Sequence, residues 1–96
     1  MEAVIRRYSG KGGKELSDLL EQRKAEVEQL MRSVSGFVSY TLARTDDGGF
    51  SVTVCRDRAG IDESVQKAKT WIAENAGQTG VAAPQVTTGT VIVHLG

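Results

Sequence analysis

The stretch from Ser35 to Asn75 constrains this chain most. Two segments with alternating side chains, Phe37 to Arg44 and Phe50 to Asp57, flank the run Asp46-Asp47-Gly48-Gly49. Aspartate and glycine accept the positive φ that tight hairpin turns demand, so the pair reads as a β-hairpin. A helical pattern follows at once. Asp62 suits its N-cap and Gly77 its stop. Ile61, Val65, Ala68, Ile72 and Ala76 form its inward stripe, and Trp71, the only tryptophan, lies on the edge of that stripe.

The flanks complete the pattern. Ala3 to Tyr8 suits a short first strand, and Ser9-Gly10-Lys11-Gly12-Gly13 breaks it. The spacing of Leu16, Leu19, Leu20, Val27, Leu30, Met31 and Val34 predicts one amphipathic helix over residues 14–34, closed by Gly36. Gln78 to Pro84 reads as a small-residue loop. Val86 to Leu95, rich in threonine and valine, reads as a last strand. The order β-α-β-β-α-β implies an α+β, ferredoxin-like sandwich: a four-stranded antiparallel sheet with two helices, one domain over residues 1–96.

Alternation within the strands suggests a clearly apolar sheet face made of Val38, Tyr40, Leu42, Phe50, Val52, Val54, Val91, Val93 and Leu95. The other face, with Phe37, Thr41, Ala43, Thr53, Cys55, Thr90 and Ile92, is still too apolar to be wholly solvated. With helices on one side only, the open side is expected to pack on a second copy of the chain.

Charge and cysteine content narrow the function classes. Twelve basic and twelve acidic residues cancel, so the broad positive field of a nucleic-acid binder is missing. Val52 stands where an RNA-recognition strand would need a stacking ring. No apolar run approaches the ~20 residues that span a bilayer, and the apolar run near Met1 is too short for a secretory leader. Cys55 is the only cysteine, which excludes an internal disulfide and a Cys-rich zinc site and suits a reducing cytoplasm. No metal or cofactor is expected. Ser9 to Lys14 lacks the spacing of a phosphate-binding P-loop and reads as a flexible turn.

Ser35-Gly36-Phe37-Val38-Ser39-Tyr40-Thr41-Leu42, then Asp47-Gly48-Gly49-Phe50-Ser51-Val52-Thr53-Val54, and Ser64 to Ile72 with its Trp71, resemble the antibiotic biosynthesis monooxygenase (ABM) family. The resemblance implies a dimeric α/β barrel, two four-stranded sheets packed face to face. It also implies a pocket between helices and sheet, and in some members oxidation of planar phenols or quinols by oxygen without a cofactor. Those members pair the helix-two tryptophan with an asparagine one turn earlier, where this chain has Lys67; Asn75 lies one turn later. Haem-degrading members use an asparagine on strand one and a histidine after helix two. This chain has Arg6 and Arg7 on strand one and no histidine after helix two, which points away from haem breakdown.

Five residues stand out as candidates. Arg23 falls near the centre of the first helix's apolar stripe, where a guanidinium is costly to bury unless paired, and could hold a phenolate or carboxylate. Trp71 could wall a pocket and stack on a planar ring. Tyr8 could donate a hydrogen bond to a substrate oxygen. His94, the only histidine, and Tyr40 are the candidates for proton transfer. The alternative is a non-catalytic dimer that binds a small aromatic ligand or serves a structural or stress-response role. Five aromatic residues make a thin lining for a large ring system and favour it.

Overall fold

The structure is a computed structural model describing residues 1–96. Strand β1 (Glu2–Tyr8) is followed by helices α1 (Gly13–Gln22) and α2 (Lys24–Arg32). The hairpin β2 (Phe37–Thr45) and β3 (Gly48–Cys55), the long helix α3 (Arg58–Asn75), a single 3-10 turn (Gly77–Thr79) and β4 (Gln85–Thr90) complete the chain. The sheet order is β2-β3-β1-β4, antiparallel throughout. This is the ferredoxin-like α+β sandwich that the order of elements implies, with the first helix divided in two.

Two clusters form the core between helices and sheet. Tyr8, Leu16, Leu20, Val27, Trp71 and Ala76 pack together at one end, and Val4, Val34, Cys55 and Ile61 at the other. Burying a large aliphatic side chain contributes about 1.5–3 kcal/mol, so Leu16, Met31 and Ile61, all nearly inaccessible to solvent, weigh most.

The register overturns the expected apolar face. Tyr40 pairs with Thr53 and Leu42 with Ser51, and directly paired residues share a face. Tyr40 and Leu42 therefore face the helices together with Ser51, Thr53 and Cys55. Phe50, Val52 and Val54 lie on the outer face with Ala3, Ile5, Ser39, Thr41 and Ala43. An irregularity between Phe37 and Ser39 shifts the phase of β2, and Phe37 packs inward against the second cluster.

The last strand is shorter than expected. Glu2, the first residue of β1, pairs with Thr90, and one further bond joins the Val91 amide to the Met1 carbonyl. Beyond it β1 offers no partner, and residues 91–96 leave the sheet. Helix α3 starts earlier than expected, because Asp57 rather than Asp62 caps it by accepting from the Gly60 amide at 3.1 Å. Gly60 is needed there, since a Cβ would meet the Ser35 carbonyl and stand 2.9 Å from the Cys55 Cβ.

Candidate ligand cleft

Alternation along β1 turns Val4, Arg6 and Tyr8 inward. Arg6 pairs with Ser51 on β3 and with Val86 on β4, and Ser51 pairs with Leu42 on β2. A row Leu42, Ser51, Arg6, Val86 thus crosses all four strands beneath the helices. The helices do not cover its β4 end, and every residue of β4 is exposed. A cleft of about 380 Å³ remains there. One wall is the α3 face carrying Val65, Lys69, Ile72 and Ala73; the other is Val81 to Pro84 with Val86. Gly12, at φ 79°, holds that second wall against the start of α1, because a Cβ would stand 2.5 Å from the Val81 nitrogen. A smaller chamber of about 20 Å³, room for roughly one water, lies further in. Arg6 and Tyr8 line both spaces, and Tyr40, Leu42 and Trp71 line the inner one.

Arg6 dominates the electrostatics. It is 5 % exposed, and none of the six ion pairs in the structure includes it. Its Nη2 donates to Ser51 Oγ at 3.3 Å, and its Nη1 has no partner. An arginine keeps its charge in a protein interior, and an unpaired buried charge is expensive. Tyr8 and Tyr40 stand near it. Burial pushes both phenols above the ordinary tyrosine range, and the Arg6 charge partly offsets the rise. Both are therefore neutral at physiological pH and able to donate hydrogen bonds. No aspartate, glutamate or histidine lines either space. The site is a cation flanked by two phenols at the inner end of an apolar slot. It can hold an anion and lower the pKa of a bound acid, since an opposite charge within ~4–6 Å favours the ionised form.

Of the five residues singled out in the sequence, Tyr8, Tyr40 and Trp71 meet around Arg6. Trp71 is 8 % exposed and sits within the buried line of α3 instead of on its edge. Arg23 corrects the expectation of an arginine inside the stripe. The first helix breaks at that residue, with φ −112° and ψ 29°, and its side chain turns over the Trp71 ring, 4.9 Å from the centroid. There it donates to both Glu26 carboxylate oxygens at 2.9 and 2.6 Å and to Asn75 Oδ1 at 2.9 Å. Glu26 also accepts from the Trp71 indole at 3.1 Å. The Arg23 bonds, followed by that of Trp71, hold its carboxyl below the ordinary glutamate range.

His94 does not frame the cavity. It lies in the segment beyond β4, exposed, 3.3 Å from Ser39 Oγ on the outer side of the sheet. Cys55 is buried, and burial pushes its thiol up, with Asp57 and Glu63 acting in the same direction. Sequence reasoning missed Arg6. Its signal was an arginine two residues from Val4 and two from Tyr8, on the face those residues bury.

No family model matches the chain, and no curated protein matches it in sequence. Solved structures do match in fold. A protein of unknown function from Nitrosomonas europaea has a TM-score of 0.70 at 14 % identity, covering 98 % of this chain and 90 % of its own. A candidate antibiotic biosynthesis monooxygenase from Chloroflexus aurantiacus has a TM-score of 0.65 at 17 % identity, covering 99 % and 96 %. SnoaB, a cofactor-independent oxygenase from Streptomyces nogalater, has a TM-score of 0.65 at 15 % identity, covering 98 % and 95 %. The chain thus has an ABM-like fold over nearly its whole length.

Proposed function

We propose that this protein binds a planar phenol or quinol in the cleft between α3 and β4 and promotes its oxidation by molecular oxygen without a cofactor. One observation carries the reading: Arg6, buried at the end of an apolar slot, has no acidic partner and a free Nη1. The slot volume falls at the low end of the ~300–1,000 Å³ typical of small-molecule sites. SnoaB, described as a cofactor-independent oxygenase, lends support through its fold.

Tyr8 and Tyr40 orient the substrate oxygen, Arg6 stabilises it as an oxyanion, and Trp71 closes the inner wall. Fixed charge aimed at developing charge is an effective form of catalysis. With the phenol ionised, the electron-rich ring reduces O₂. In an anthrone-type phenol, whose ring carries a CH₂, a C–O bond then forms at that carbon as one of its C–H bonds breaks, and the released proton completes a hydroperoxide. The O–O bond breaks with loss of water, leaving one oxygen as a carbonyl and the other in the water. His94 has no part in this scheme, and Arg23 acts only by steadying Trp71. A second reading, binding without turnover, is favoured by the lack of a carboxylate or imidazole base in the cleft. Oxygen uptake with anthrones and hydroquinones separates the two. Uptake that depends on the protein and falls in Arg6→Met and Trp71→Phe supports the oxygenase; binding without uptake supports the second reading.

The outer sheet face is the proposed homodimer surface. Ile5 is 44 % exposed on it, and Ile92 and Leu95 in the segment that follows β4 are 94 % and 89 % exposed. Ile5→Glu is expected to convert a dimer to a monomer in light scattering; a native protein that is monomeric at every concentration would overturn this.

A further inference from the structure

The row Leu42, Ser51, Arg6, Val86 has two ends, and the helices leave both of them open. Val86, at the cleft, is 46 % exposed, and Leu42, on the edge strand β2, is 37 % exposed. Two surface grooves meet at Leu42. One, of about 220 Å³, runs between α1 and β2; the other, of about 260 Å³, runs between α2 and β2. Lys24 borders both, with Leu20 and Glu21 on the α1 side and Val27 and Glu28 on the α2 side. These residues flank the helix break at Arg23, so the break leaves a notch above Leu42. On its inner side Leu42 lines the chamber that holds Arg6 and Tyr8. Val27, Met31 and Tyr40 line both that chamber and the α2 groove, so a single layer of side chains separates the chamber from solvent here. A partly exposed side chain changes rotamer within picoseconds to nanoseconds. The layer offers a polar solute little in return for its lost water, but it welcomes an apolar one. The chamber has room for roughly one water-sized molecule, which is too little for an aromatic ring and enough for a diatomic gas.

We infer that dissolved oxygen enters the Arg6 chamber past Leu42, through the notch between α1, α2 and β2, at the sheet edge opposite the cleft. Its use in turnover rests on the oxygenase reading given above. A ring seated in the cleft with its oxygen on Arg6 closes the β4 side, and the β2 side stays open to the second substrate. Leu42 is the gate of that second way in, and its size sets how freely oxygen passes.

The test needs no ligand. Oxygen is paramagnetic, so oxygen pressure speeds the NMR relaxation of the methyl groups it reaches. The methyls of Val27 and Met31 report on the chamber, and those of Val4, Val34 and Ile61 in the second core cluster give the level of a sealed interior. In the native protein the chamber methyls should relax well above that level. Leu42→Phe should bring them down to it, Leu42→Ala should raise them further, and Val86→Phe, which narrows the cleft instead, should leave them near the native value. Native methyls already at the sealed level would overturn the inference. So would an effect that survives in Leu42→Phe or is lost in Val86→Phe. Oxygen uptake with an anthrone then tests the use of the passage: Leu42→Phe should raise the KM for oxygen and leave the affinity for a hydroxyanthraquinone unchanged. No uptake by the native protein would overturn the oxygenase reading, while the methyl result still decides the passage.

Discussion

Arg6, which shares a chamber with Trp71, and Arg23, which lies over its ring, are treated in opposite ways. Arg23, at the surface, has a carboxylate, an amide oxygen and an indole face. Arg6, in the interior, has one long hydrogen bond to a serine and a free nitrogen. Stability alone would favour the reverse arrangement, because partners matter most where water is absent. On the proposed reading the difference separates their roles: Arg23 fastens α2, α3 and the indole together, and Arg6 would hold the ligand.

The sharpest way to break this comparison is to remove each charge in turn. Arg6→Met should weaken binding of a hydroxyanthraquinone by about a hundredfold, in line with losing a charge-assisted bond in a dry site. It should also raise unfolding stability by roughly 1–3 kcal/mol, since an uncompensated charge is replaced by a well-packed apolar chain. Isothermal titration and urea denaturation measure the two effects, and a destabilised Arg6→Met would mean that the guanidinium has a protein partner after all.

Arg23→Met should act in the other direction and more weakly. Losing the cation over the ring of Trp71 costs on the order of 0.5–1 kcal/mol. Tryptophan emission should change as the indole loses its fixed setting, while ligand affinity shifts by less than about threefold, because no part of Arg23 lines the cleft.

The smallest effect is a pH dependence. Glu26 titrates lower in the folded protein than in the unfolded chain. Its contribution is therefore present above its unfolded value of about 4.3 and lost as pH falls through its folded value. Glu26→Gln should lower stability slightly near neutrality and flatten the profile below pH ~4, where native and variant converge, as read from thermal unfolding across that range.

What the sequence disclosed follows from which patterns are local. Hairpin, helices and element order were legible because each rests on residues close together, such as Asp46 to Gly49 between two alternating runs. The sheet faces were not. Alternation says which residues share a face within a strand, but only the register joins Tyr40 to Thr53 and leaves Val52 opposite Thr41. Arg23 misled because its place in the stripe assumed one continuous helix, and the break occurs at that residue. Arg6 and Arg7 are adjacent, so one of them had to turn inward. Choosing Arg6 required knowing that Val4 and Tyr8, not Ala3 and Ile5, meet the helices. Three of the five candidates, Tyr8, Tyr40 and Trp71, do gather around one cavity. The charge that organises it was visible only once β1 was set between β3 and β4.

The most direct test of the central claim is the ionisation of a bound phenol. A hydroxyanthraquinone changes colour when it deprotonates, so its apparent pKa can be followed by absorbance in complex with native protein and with Arg6→Met at saturating concentrations. If Arg6 holds the oxyanion, the bound phenol should titrate about 1–3 units below the free compound in the native protein and close to the free value in Arg6→Met. A phenol that titrates the same with both proteins, or higher in the native complex, would contradict the account.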